Sequence, residues 1–211
     1  MKNIHASTYK EIFEHNQYQK FIDVNDGDFV LDLGCSQGPF YFKNYDKDIV
    51  YVGLDASVNC INDFYDNLED KRQPLIINAF ISESLQVQDF NWSFYDEDQK
   101  QKVSSITFPS LLEFLNRKID FLKFDIESYE KTFLVTHYDL FKKNVKKFAG
   151  EIHFAGNDYF PRSEVYEMMD KLKNDSSVDF RLYSTDGYDI SEYYWGNKDY
   201  YTEIIINGVV V

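Results

Sequence analysis

Asp32, Gly34, Gly38 and Asp55 are the residues of this chain whose types and spacing first suggest chemistry. The run Phe29-Val30-Leu31-Asp32-Leu33 is apolar but for its acid, Gly34-Cys35-Ser36-Gln37-Gly38 follows it, and Pro39-Phe40 opens the next segment. A strand covered on both faces, breaking into a glycine turn that starts a helix, suits a nucleoside site. Glycines let backbone approach a ligand, and Pro39 fits the first helical turn. The turn offers Gly34-x-x-x-Gly38, not the G-x-G-x-x-G that seats a pyrophosphate on a helix N-terminus. Asp32 would also repel a phosphate. S-adenosylmethionine fits better, because its sulfonium and ammonium groups are cationic, its carboxylate can take loop N–H bonds and it has no phosphate. A second apolar run, Ile49-Val50-Tyr51-Val52-Gly53-Leu54, ends on Asp55, an acid placed to accept both ribose hydroxyls. The plainer alternative is that Asp32 caps a turn and Asp55 caps the next helix.

Positioning such groups requires alternating strands and helices. The pattern predicts a leading helix over Ser7 to Phe21, carrying Tyr9, Ile12, Phe13, Tyr18 and Phe21 and packing over the cofactor edge. A crossover helix over Val58 to Leu68 precedes a third strand, Pro74 to Ile81, with Asn78 at its carboxyl end. Ser84 to Lys102 reads as a hairpin or flexible loop and Phe108 to Leu115 as a helix. Ile119 to Ile126 is a fourth strand, with a helix from about Ser128 to Lys143 behind it. Phe148 to Phe154 is a fifth strand, then comes a helix from about Ser163 to Lys173. Two closing strands, Phe180 to Ser184 and Tyr200 to Val211, are joined by an aromatic loop. The expected fold is therefore α/β and Rossmann-like: a central, mostly parallel seven-stranded sheet with helices on both faces and an antiparallel C-terminal edge hairpin. One domain is expected over 1–211, with a helical segment at 1–25, a cofactor-binding core at 26–156 and acceptor loops and strands at 157–211.

Composition narrows the partners. A chain of 211 residues that is 44% hydrophobic can bury one sizeable core. The formal net charge of −14 argues against nucleic acid and anionic membrane partners, which need clustered Lys and Arg. No run is long enough to span a membrane, and the polar, amphipathic first 21 residues do not read as a signal peptide. Cys35 and Cys60, the only cysteines, fit neither a disulfide framework nor a zinc cluster, so a reduced, cytoplasmic protein is expected. Aromatic residues make up 18% of the chain, some of them in loop-like segments, where rings serve either sugar faces or ordinary core filling.

The segment Leu122-Lys123-Phe124-Asp125-Ile126-Glu127-Ser128-Tyr129-Glu130 resembles the K-x-D-x-E-G-x-E signature of FkbM-like methyltransferases, with Ser128 in place of the usual glycine. Asn78-Ala79-Phe80-Ile81-Ser82 ahead of it and Glu151-Ile152-His153 behind it are similar to two further family segments, in the same order. The resemblance runs from about Gly27 to Phe154. It implies a class I methyltransferase fold, S-adenosylmethionine as donor and O-methylation of a hydroxyl on a sugar or secondary metabolite. By family position Asp32, Gly34, Ser36 and Gly38 line the methionine end, Asp55 the ribose, and Asn78 with Phe80 the adenine region. Cys35, Gln37, Ala56, Ser57, Ala79 and Asp125 complete the expected cofactor set. Ser128 puts acceptor positioning in question more than cofactor binding.

Ligands of open α/β sheets bind beyond the carboxyl ends of the strands, where Asp125, Glu127, Glu151 and His153 are expected to converge as the catalytic group. Methyl transfer needs acceptor oxygen, methyl carbon and sulfur in line, and a base for the hydroxyl proton. His153 or Asp125 is the expected base. A rival mechanism places Mg²⁺ or Mn²⁺ on Asp125, Glu151 and His153. The plain alternative has Asp125 and Glu127 capping the next helix and His153 satisfied in the core. Lys123, between Leu122 and Phe124, is expected to pair with an acid. Asp158 and Tyr159 after strand five, with Tyr194 and Trp195 in the last loop, are expected to line a saccharide-type acceptor pocket.

Overall fold

The computed structural model describes residues 4–68, 73–90, 101–127, 129–154, 162–197 and 200–211. Strands β1 (Phe29–Leu33), β2 (Val50–Asp55) and β3 (Leu75–Asn78) are followed by β4 (Phe80–Ile81), β5 (Val87–Phe90) and β6 (Gln101–Ile106). The chain continues through β7 (Ile119–Phe124), β8 (Val145–His153), β9 (Val178–Tyr183) and β10 (Glu203–Val210). Seven of them form one sheet in the order β3-β2-β1-β7-β8-β10-β9. In this sheet β10 runs antiparallel to both its neighbours, β8 and β9, so the closing pair is the expected antiparallel hairpin, with its second strand slotted inward.

Alternation along each strand sorts the core into two layers. Phe29, Leu31 and Leu33 of β1 face a layer with Leu122, Phe124 and Phe148, covered by α4 (Phe108–Leu115), α5 (Lys131–Leu134), α6 (Tyr138–Asn144) and α7 (Arg162–Asn174). Val30, Tyr51, Phe121 and Ile205 face the other layer, closed by α2 (Pro39–Lys43), α3 (Val58–Asn67) and the N-terminal segment. Among the described residues no helix is long and apolar enough to cross a membrane.

Three expected elements are divided. The leading helix is a short α1 (Ala6–Tyr9) that widens into a π turn over Lys10–Glu14 and stops. Asn16 then takes the left-handed φ of 54° and bonds the Gln19 carbonyl through Nδ2 at 2.7 Å, so the chain turns into a 3₁₀ turn at Gln17–Gln19. The single strand expected over Pro74 to Ile81 breaks at Ala79. Its first half pairs with β2, while Phe80–Ile81 pairs with β6 in a separate three-stranded sheet, β4-β6-β5. The helix expected over Ser128 to Lys143 is α5 and α6. The amides of Val135 and Thr136 both close on the Lys131 carbonyl, at 2.8 and 3.3 Å, and two β-branched residues are poor at continuing a helix. Ser84 to Lys102 does contribute a hairpin, β5 with β6, whose connection at 91–100 lies outside the described residues.

Gly34 is required by packing between strand ends. At φ +76° a Cβ there would lie 1.8 Å from the Asp125 carbonyl oxygen, whereas at Gly27, with φ +84°, it would meet nothing within 4 Å. Gly34→Ala should therefore cost more than about 3 kcal/mol, and Gly27→Ala only the conformational penalty of about 1–2 kcal/mol. Urea unfolding of both variants checks the difference; equal losses would remove the close-approach account.

Candidate active site

A cavity of about 980 Å³ opens beyond the carboxyl ends of β1, β2, β7 and β8. Its floor rests on a buried ion pair. Asp32 and Lys123 are cross-strand partners in the β1–β7 register, and Lys123 Nζ lies 3.1 Å from Asp32 Oδ1. Lys123 also donates to the Gly34 carbonyl at 2.6 Å, and the Tyr51 hydroxyl donates to Asp32 Oδ2 at 2.5 Å. Lys123 thus has the acidic partner expected of it. Asp32 lies beneath the cavity wall, fully buried, while Gly34, Ser36 and Gln37 reach it.

The glycine loop is held mainly by its own chain. The amides of Gly34 and Cys35 both donate to the Leu54 carbonyl, at 2.8 and 3.1 Å, and that of Gly38 donates to the Cys35 carbonyl at 2.9 Å. Ser36 N–H donates to Asp55 Oδ2 at 2.7 Å. Loop N–H groups were expected to be available to a carboxylate, but these four amides are bonded within the chain. A Cβ on Gly38 would strike the Phe64 ring at 2.7 Å, so this glycine makes room for the core. Cys35 and Gly38 do not line the cavity, and both thiols, Cys35 and Cys60, are buried and free.

Asp55 clasps two loops. Its Oδ1 accepts from Ser57 N–H and its Oδ2 from Ser36 N–H, each at 2.7 Å. Burial raises its carboxyl to about 6, against the two backbone bonds that favour the charged form. Asn78 stands outside the cavity, and its amide bonds the carbonyls of Asp55 and Ala56 at 3.1 and 3.0 Å, bracing the β2 end from behind. Ala56, Ser57, Ala79 and Phe80 line the wall, with Phe80 edge-on to Tyr129.

The far end is acidic. Asp125, Glu151 and His153 each offer one ligand atom, all within 4.8 Å of one another. His153 Nδ1 lies 3.0 Å from Glu130 Oε1, while its Nε2 lies 3.9 Å from Asp125 Oδ1 and 3.7 Å from Glu127 Oε2. Burial works against charge on this ring, but the bond and charge of Glu130, then Asp125 and Glu151, outweigh it and raise the imidazole to about 10. Burial, then Asp125, pushes Glu151 up to about 9. The cluster thus favours a proton on Glu151 and the charged form of His153. Glu127 sits at a left-handed φ of 53°, a conformation uncommon outside glycine.

Three groups here escaped the sequence. Glu11, from the π turn, and Glu203, opposite His153 in the β8–β10 register, add carboxylates to the cavity. The Tyr18 hydroxyl donates to Asp125 Oδ2 at 3.2 Å. Their only sequence signal was an acid or hydroxyl on an element predicted to sit nearby. Tyr194 and Trp195 do not reach this cavity. Tyr194 is fully buried against Phe154 and Tyr201, and Trp195 borders a separate hollow of about 250 Å³, its ring 4.2 Å from Lys173 Nζ. Ser128, Asp158 and Tyr159 lie outside the described residues.

The sequence profile of the methyltransferase FkbM domain matches residues 11–182. No curated protein matches the sequence. Among solved structures the chain is similar to Aeropyrum pernix fibrillarin in complex with natively bound S-adenosyl-L-methionine, at 14% identity and a TM-score of 0.56, over 96% of this chain and 76% of that one. It is also similar to an rRNA methylase from Streptococcus thermophilus, at 11% identity and a TM-score of 0.52, over 96% and 94%. A putative rRNA methylase from Clostridium thermocellum gives 11% and 0.53, over 97% and 95%. At these identities the likeness is one of fold.

The floor of the cavity yields a stability test. Lys123→Met leaves Asp32 buried without its cation and should cost about 3–5 kcal/mol in urea unfolding, whereas Asp32→Leu with Lys123→Met should recover most of it. A double variant no more stable than the single one would show that the pair is not the source of the loss.

Proposed function

Because the chain belongs to the FkbM methyltransferase family and is an S-adenosylmethionine-dependent methyltransferase, we propose that it transfers the methyl group to a hydroxyl of a small acceptor, a sugar, glycan or sugar nucleotide. The observation that carries this reading is one continuous cavity, with Asp55, Ala79 and Phe80 for a nucleoside in one part and the acid–imidazole group in another. Its volume suits a cofactor together with a small second ligand. Two of the similar structures are described as rRNA methylases, but a net charge of −14 and a wall bearing Glu11, Glu127, Glu151 and Glu203 speak for a small acceptor over a polyanion. Buried free thiols support a cytoplasmic setting and the shared sheet a single domain.

Each residue has a part in the proposed reaction. Asp55 accepts the ribose hydroxyls, and Ala79 and Phe80 bound the adenine. The acceptor oxygen attacks the methyl carbon as the carbon–sulfur bond breaks, leaving a neutral thioether, and the hydroxyl proton passes to Asp125. His153, whose charged form the surrounding carboxylates favour, is assigned the part of holding charge beside Asp125. The oxygen and nitrogen donors of Asp125, Glu151 and His153 also fit Mg²⁺ or Mn²⁺. Such an ion, when bound, would lower the pKa of an acceptor hydroxyl.

Calorimetry with S-adenosylhomocysteine tests the cofactor half. Asp55→Ala should weaken binding by roughly 10–100-fold, the value of a charge-assisted hydrogen bond. For the wild type, affinity should fall as pH is lowered through about 6, where Asp55 takes up a proton. Unchanged affinity in the variant would remove Asp55 from the site. For the chemical half, Asp125→Asn should lower kcat by about 10²–10⁴-fold on whichever sugar acceptor the wild type methylates. Retained turnover would exclude Asp125 as base, turnover that survives a chelator would exclude the ion, and cofactor binding without transfer to any acceptor would mark a scaffold.

A further inference from the structure

We propose that Glu130 is the positioning residue that turns the His153 ring so that its Nε2 faces the reaction. This rests on the reading of His153 as part of the transfer centre. Glu130 precedes α5, at the end of the turn that leaves β7, and only 1% of it is exposed. Its Oε1 meets His153 Nδ1 at 3.0 Å and accepts the Ile126 N–H at 3.2 Å. This oxygen already serves as an acceptor for Ile126 N–H, so the proposal places the hydrogen of its bond to the ring on Nδ1. The ring is then turned with Nε2 toward Asp125 Oδ1 and Glu127 Oε2 at the cavity wall.

The second bond matters as much as the first. Ile126 lies between Asp125 and Glu127, so the oxygen that holds the imidazole is tied to the same turn that carries both carboxylates. The shared oxygen thus ties the imidazole at the end of β8 to the turn after β7 that carries both acids. A burial this complete is costly for a carboxylate without such partners. A flipped ring would present carbon to the cavity and leave Nε2 without its line to Asp125. A merely structural Glu130 would support the α5 turn and leave the ring's protons unaffected.

The test is ¹⁵N and ¹H NMR of histidine side chains in the full chain, which has four histidines, with His153 assigned by its absence in His153→Gln. The wild type should show a His153 Nδ1 proton shifted downfield and protected from solvent exchange. In Glu130→Gln that signal should move upfield and exchange faster, with S-adenosylhomocysteine affinity unchanged and kcat lowered about tenfold or more. Glu130→Asp, which keeps the charge, should restore part of the kcat lost in Glu130→Gln. A freely exchanging Nδ1 proton in the wild type, or an unchanged Nδ1 signal in Glu130→Gln, would overturn the proposal. If the wild type methylates nothing, the function reading fails while the NMR result still decides the role of Glu130; should Glu130→Gln not fold, the wild-type spectrum and Glu130→Asp decide it.

Discussion

The cross-strand pair of Asp32 and Lys123 is the constraint on which the upper surface of the sheet depends. Two opposite charges sit in an otherwise apolar layer among Phe40, Tyr51 and Phe121, and neither can leave without stranding the other. The lysine also donates to the Gly34 carbonyl, which pins the start of the glycine loop to the end of β7. From there the restraints pass outward: Leu54 holds two loop amides, Asp55 holds a third, and Asn78 braces Asp55 from behind. The loop conformation is therefore fixed by bonds within the chain, and an ordered loop lowers the entropy lost when a ligand binds.

Much of this was legible in the sequence because burial on both faces of a parallel sheet leaves uninterrupted apolar runs. The runs ending at Leu33, Leu54 and Phe124 are strands, and the acids next to them stand at strand ends. The K-x-D-x-E stretch likewise located the acid cluster. The purpose of the glycines was not legible. Gly34 and Gly38 look alike in sequence, yet one clears a backbone carbonyl and the other the ring of Phe64, distant along the chain. Asp32 was read as facing ligand because its partner, Lys123, comes from a strand 91 positions away by number, and only register brings them together. The aromatic loop was misleading for a related reason: Tyr194 and Trp195 have the composition of a sugar platform, but Tyr194 fills core against Phe154, and Trp195 packs beside Lys173.

Charge explains the character of the far end. Five carboxylates, Glu11, Asp125, Glu127, Glu151 and Glu203, border one region of the cavity, with His153 as a compensating group beside them. Such a region favours a sulfonium and, in the proposed reaction, loses part of that attraction when the sulfur becomes a neutral thioether. Burial and then the crowding of carboxylates favour a protonated Glu151, while the same carboxylates favour the charged form of His153.

The inward placement of β10 has a bearing on how the sheet is assembled. Its pairing with β8 couples residues such as Glu203 and His153 across a long stretch of chain, and until it docks, β8 has an unpaired edge lined by Phe148 and Ile152. A bare apolar edge is an aggregation hazard and a late loop closure is slow. Because Glu203 sits on that strand, its wall of the cavity is complete only once β10 has paired with β8.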